Sequence, residues 1–194
     1  MSDNESLIEL QQHLKMSARI TPDSQVKNYV NNASLTKLED SMPKFVTLEE
    51  AQTFVGQEVG ITQWLEITQK RVNQFAEATG DFQFIHIDPE RAKAETPFGG
   101  TIAHGFLTLS LLSMLASQTG TIKIKDSKVA INYGLDKVRF MNPVRVGKRI
   151  RARFELMSVV QKGQNVLLKH KATVEIEDED KPAMIAEWLG MQVL

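Results

Sequence analysis

A carboxylate and an imidazole stand five residues apart in the stretch Gly80-Asp81-Phe82-Gln83-Phe84-Ile85-His86, framed by aromatic and aliphatic side chains. Phe82, Phe84 and Ile85 are expected to keep water scarce there. In such a setting desolvation moves a carboxylate toward neutrality, and a neighbouring imidazole can share or trade its proton, which is what general acid/base work near pH 7 requires. The bland reading stands beside it: an Asp after a Gly is commonly a turn residue, and a lone His commonly has a structural partner. A second group is Gly99-Gly100-Thr101-Ile102-Ala103-His104-Gly105, a glycine-containing turn feeding an apolar segment. The first amides of a helix lack partners, so they can meet a developing oxyanion, and Gly105 has no side chain to block an approaching carbonyl. These glycines could equally serve only to turn the chain into the helix.

The elements around these groups follow from spacing and capping. A helix starts around Thr68, presents Val72, Phe75, Ala76 and Thr79 on one face, and ends at Gly80, a residue that tolerates the left-handed conformation. Asp81 then lies just past a helix end. Asp88 is placed to cap a second short helix with Pro89 at its first position, which leaves His86 in the loop between the two. Residues 103–117 are apolar on nearly all sides, a helix that must be wrapped. Strands come after it. Ile150, Ala152, Phe154 and Leu156 alternate with charged residues, Val166, Leu168, Ala172, Val174 and Ile176 share one parity, and a last strand begins near Met184. Val129, Ile131, Tyr133 and Leu135 keep one parity while Val138 and Phe140 take the other, so a bulge is expected within residues 134–137. Residues 61–67 read as one more strand.

Leu7, Leu10 and Leu14 suggest a short amphipathic helix, followed by an irregular polar tether, so residues 1–44 read as an N-terminal helical extension. Thr47 with Glu50 forms a capping-box pattern preceded by Val46, and residues 45–194 are expected to form one domain. An antiparallel sheet wrapped around one long apolar helix satisfies the two-layer rule and makes the class α+β.

Composition narrows the function. The chain has 194 residues, with 23 Lys and Arg against 24 Asp and Glu, which gives no general attraction to nucleic acid or anionic membrane. It has no cysteine, so disulfides, thiolate zinc sites and a cysteine nucleophile are excluded. The first ten residues carry Asp3, Glu5 and Glu9, unlike a secretory leader, and no apolar run reaches a bilayer span; a cytoplasmic location is expected. Asp81, His86, Asp88 and His104 could be imagined as metal ligands, yet no tight His-x-x-x-His spacing supports them, and no metal is expected. His170 shares the sheet-core parity and is expected to be buried with a hydrogen-bond partner, whereas His13 is expected to be a solvated helix residue. Lys123, Lys125, Lys128, Arg145, Lys148 and Arg149 could meet phosphates or simply be solvated.

Gly80-Asp81, Ile85-His86 with Ala92 six positions on, and Ile102-Ala103-His104-Gly105-Phe106 together resemble the MaoC-type (R)-specific enoyl-CoA hydratases over residues 47–194. Residues 79–92 and 131–140 are especially similar to the nodulation-protein-N-like branch. The resemblance implies a hot-dog fold, a homodimer and a role in fatty acid metabolism. Asp81 and His86 would activate water for syn addition across a trans-2-enoyl-CoA, with Gly105 as backbone oxyanion donor and Ser113 as a supporting residue. It implies no cofactor, the CoA thioester being the substrate. Where the family has Asn-Pro this chain has Gln83-Phe84; Gln83 keeps an amide near the substrate, while loss of the proline relaxes the loop that orients His86. The rival readings are a hot-dog acyl-CoA thioesterase and a non-catalytic acyl-CoA-binding module.

Overall fold

A computed structural model describes residues 44–119 and 121–194. Of the helical extension read over residues 1–44, residues 1–43, His13 among them, lie outside the described residues. β1 (Lys44–Val46) leads into α1 (Leu48–Thr53), and here the capping box forms as written: the Glu50 amide donates to Thr47 Oγ1 at 3.1 Å while the Thr47 amide donates to Glu50 Oε2 at 2.7 Å. Ala51 on its inner face is fully buried.

β2 (Glu58–Ile61) and β3 (Leu65–Glu66) take the place of the single strand expected over residues 61–67. Thr62 explains the break. Its hydroxyl accepts the Ala152 amide at 2.9 Å, replacing a ladder bond, and the chain leaves the sheet until Leu65. Trp64, freed from the ladder, lies under the Arg151 guanidinium at 4.5 Å.

The helical layer contains α2 (Gln69–Thr79), α3 (Phe84–Ile87), α4 (Pro89–Glu95) and α5 (Gly105–Ser117). Thr68 and Asp88 cap α2 and α4 through their side chains, as their sequence positions suggested. β4 (Ile122–Ile124) pairs with β1 in parallel. β5 (Val129–Phe140), β6 (Arg149–Lys162), β7 (Asn165–Ile176) and β8 (Met184–Val193) build the antiparallel sheet, in the order β2-β6-β7-β8-β5 with β3 alongside β6. The register of β5 against β8 shifts between Asn132 and Gly134 and again between Leu135 and Lys137, so the parity change is indeed bulged. All described residues belong to one packed unit.

Alternation decides the core. Ile150, Ala152, Phe154 and Leu156 of β6 are fully inaccessible, as are Val166, Ala172 and Val174 of β7, and Leu107, Leu111, Leu112 and Leu115 of α5 join them in one cluster. The sheet covers only one flank of α5, however: Phe106, Ser110 and Ser113 share an exposed flank, so the helix expected to be wrapped on all sides is half covered within one chain. His170 is 6% exposed, as its parity required, but its Nε2 has no partner among the described residues. Its neighbours are Leu156 across one strand pair, the Phe154 ring, and Trp188, whose single donor is spent on Asn132 Oδ1 at 2.7 Å. Burial pushes the His170 imidazole down to about 4.

Candidate active site

Gly80 ends α2 in the left-handed conformation (φ 78°), its amide closing back on Ala76 O at 2.8 Å, and so turns the chain out at Asp81. The Asp81 carboxylate accepts the Gln83 amide at 3.4 Å and is otherwise open to solvent. Phe82 is 55% exposed, so the apolar cover expected around the carboxylate is thin within one chain. The next residues do not form the expected loop. The His86 amide donates to Gln83 O at 2.9 Å and the Asp88 amide to Phe84 O at 3.0 Å, which closes the single turn α3 with His86 on it. Four residues are too few to show a helical period in sequence. Gln83 contributes here through its backbone; its side chain, expected near the substrate, is exposed and bonds neither Asp81 nor His86.

His86 is buried and firmly held. Its Nδ1 lies 2.8 Å from Ile102 O, and because a carbonyl only accepts, Nδ1 carries the hydrogen and Nε2 is the bare nitrogen. The Ile102 amide returns a bond to Ile85 O at 3.0 Å, so the segments before α4 and before α5 are joined reciprocally. Gln69, in the first turn of α2, completes the frame. Its amide nitrogen donates to His86 O at 2.7 Å and to Asn73 Oδ1 at 2.8 Å, and its oxygen accepts Thr101 Oγ1 at 2.5 Å. Desolvation pushes the His86 imidazole below its ordinary value; the bond to Ile102 pulls the other way, His104 pushes further down, and Asp81 pulls up.

His104 caps α5 by position, is 2% exposed, and stacks on His86 with centroids 3.8 Å apart and planes at 29°. In sequence His104 stands in the glycine turn and in the motif that carries the family resemblance, without a site role of its own. One carboxylate oxygen of Asp81 and one nitrogen from each of His86 and His104 lie within 4.8 Å of one another. Asp88, the fourth imagined ligand, instead caps α4 by accepting the Arg91 amide at 3.0 Å. These three are the groups that could hold a metal among the described residues.

Gly105 opens α5. The amides of Gly105, Phe106 and Leu107 precede the first helical bond, from Thr108 to His104 O, so they are the free donors of the helix start. A Cβ at Gly105 would stand 3.1 Å from the Phe140 ring. The bare Cα thus faces an aromatic side chain rather than open space. Ser113 lies eight residues further, about 12 Å along the helix, on its exposed flank. No hydrogen bond ties it to Asp81 or His86 among the described residues. Of the basic residues, Lys125 pairs with Glu50, Lys148 with Glu179 and Arg149 with Glu177, and Lys128 donates to Leu194 O, which leaves little of that cluster for a phosphate. A groove lined by Trp64, Arg151, Glu175 and Pro182 contains none of the site residues.

An antiparallel sheet carrying one long helix is the hot-dog architecture, and here an Asp and a His meet beside the glycine that starts that helix. The chain belongs to the MaoC-like dehydratase family: the model for the "MaoC like domain" matches residues 50–179. It is 50% identical over 147 residues to 3-hydroxyacyl-thioester dehydratase Z of Mycobacterium tuberculosis, covering 75% of this chain and 95% of that protein. It is 48% identical over 147 residues to Nodulation protein N of Rhizobium meliloti, covering 75% and 91%. Among solved structures it is similar to the (R)-hydratase from A. caviae involved in PHA biosynthesis, at TM-score 0.54 and 27% identity over 70% of this chain and 94% of that one. No helix among the described residues is long and apolar enough to cross a membrane.

Proposed function

We propose that this chain interconverts trans-2-enoyl-CoA and (R)-3-hydroxyacyl-CoA, with Asp81 and His86 as the catalytic pair. The observation that carries the reading is their approach within 4.8 Å, one exposed and one buried, with the bare Nε2 of His86 free to accept a proton. A water held between them gives up a proton to His86 Nε2 as its oxygen bonds to C3 of the enoyl group. Charge then builds on the thioester oxygen, where an amide at the start of α5, that of Gly105, donates to it; one such donor is worth about 3 kcal/mol. The proton returns from His86 to C2 on the same face, and the product has gained one H2O. No redox step occurs and no cofactor is called for.

Each imidazole spends one nitrogen on a main-chain carbonyl, which leaves one bare nitrogen on each ring; in this reading that of His86 serves proton transfer, and no metal is called for. Residues 45–194 form the catalytic domain in this reading, residues 1–44 an extension to it, and the cytoplasm is its location, in fatty acid metabolism. A homodimer fits the edge strand β5, where Val129, Ile131, Tyr133 and Leu135 stand exposed. Ser113, on the exposed flank of α5, is a supporting residue only once a second chain or the substrate covers that flank.

The test follows enoyl absorbance of crotonyl-CoA and a longer trans-2-enoyl-CoA, with thiol release in parallel and chiral analysis of product. Loss of absorbance, an (R)-3-hydroxy product and silence of Asp81→Asn and His86→Ala are expected. Free CoA without hydration would make the chain a thioesterase, and tight binding without either reaction a binding module.

A further inference from the structure

We infer that His104 is a third working member of this site, a positioning residue that fixes Asp81 and backs the ring of His86; the inference rests on the hydratase reading above. Its Nε2 lies 3.0 Å from the Asp81 carbonyl oxygen, 23 residues away in the chain. The carbonyl only accepts, so Nε2 carries the hydrogen. Asp81 has little else to hold it. Past the left-handed Gly80, the hydrogen bonds touching Asp81 among the described residues are this one and the 3.4 Å contact from the Gln83 amide to its carboxylate.

The ring itself contacts Phe75 of α2, 5.1 Å away, and His86 of α3, 3.8 Å away, and so helps space α2, which ends at the turn bearing Asp81, from the helix bearing His86. The charged or titratable groups facing it are Asp81 from the turn after α2 and His86 from α3. Packing alone does not call for an imidazole here. Its Nδ1 is buried with no partner, and a phenyl ring would fill the same place without leaving an acceptor unpaired. What only the imidazole adds is the Nε2–H toward Asp81.

Two variants separate these roles. His104→Phe keeps a ring against His86 and removes the donor; His104→Gln removes the ring and keeps an N–H at similar reach. With crotonyl-CoA, His104→Phe is expected to lower kcat about 10²-fold with KM little changed, as a catalytic group displaced by about 1 Å does. His104→Gln is expected to recover part of that loss. Independently of turnover, hydrogen exchange at the Gln83 amide should quicken in His104→Phe and return toward the parent rate in His104→Gln. A folded His104→Phe with parental kcat and parental exchange overturns the inference, as do equal losses in both variants with exchange unchanged. Should His104→Phe fail to fold, the Gln variant decides: parental Gln83 exchange supports the donor role, and loosening there in a folded protein overturns it. A parent chain that hydrates no enoyl-CoA sinks the hydratase reading instead, and the exchange comparison still judges His104.

Discussion

His170 makes the sharpest test of the physical reasoning, because it is buried against Phe154, Leu156 and Trp188 with an unpartnered Nε2 and its effect can be isolated. The unfolded chain takes up a proton on this imidazole near the ordinary 6.5, whereas the folded chain holds it off until about 4. Between those values the unfolded state binds more protons, so stability rises with pH across that window and falls on acidification. At 1.36 kcal/mol per pH unit of difference, the loss attributable to His170 is about 1 kcal/mol at pH 5.5 and about 3 kcal/mol at pH 4. Below pH 4 both states are protonated and the loss stops growing. His170→Leu removes this contribution and the unpartnered Nε2 with it, at the cost of the ring contacts to Phe154 and Trp188. Urea unfolding of both proteins at pH 7, 5.5 and 4 measures the difference directly, since Glu50, Glu187 and His86, whose values also shift, are common to both. The variant should be no less stable than the parent at pH 7 and should gain on it by about 3 kcal/mol at pH 4. Parallel acid losses in the two proteins would refute the claim that His170 is held neutral by burial.

Gln69→Glu is isosteric but turns a two-hydrogen donor into a carboxylate facing the His86 carbonyl and Asn73 Oδ1, so kcat should fall by about tenfold or more while the melting temperature drops only a few degrees. An unchanged kcat would show that the frame around His86 does not depend on this amide. Gly105→Ala should lower kcat/KM more than stability, because its Cβ, 3.1 Å from the Phe140 ring, crowds the start of α5 where the proposed oxyanion donor lies. Adding Phe140→Ala should restore much of the loss, and a double variant no better than Gly105→Ala would show that Phe140 is not the obstacle.

How much of this was legible in sequence depends on how far each interaction reaches along the chain. The caps at Thr47, Thr68 and Asp88 and the left-handed stop at Gly80 span four residues or fewer, so short patterns were enough to name them. The β5 bulge was visible as a change of parity, and the Asp81 and His86 pair because both lie in one short stretch. Gln69 and His104 were not assigned to the site, since their decisive bonds join residues 17, 23 and 32 positions apart. The strand break at Thr62 was hidden for a related reason: a hydroxyl takes over a ladder bond to Ala152, 90 residues away. Burial on β6 and β7 followed from alternation, but the covering of α5 could not. An apolar helix states that it will be covered and leaves open whether its own sheet or a second chain does so.

The acid/base chemistry proposed for Asp81 and His86 asks opposite things of the two groups, and the fold would supply them by different means. A base must present one nitrogen in one tautomer, which needs a fixed acceptor behind it; the Ile102 carbonyl does this, and it is itself held because the Ile102 amide bonds Ile85 O. A carboxylate that binds water must stay accessible, so Asp81 is left on a turn beyond α2 with its side chain open. Openness costs precision, and precision has to come from the main chain, where a buried residue can supply it. In the proposed hydration His104 meets that need, and its neighbour Gly105 starts the helix whose amides would face the developing charge. The same two-residue step, the cap and the first position of α5, would then brace the carboxylate and offer the oxyanion donor, so any shift of α5 along its axis would disturb both together.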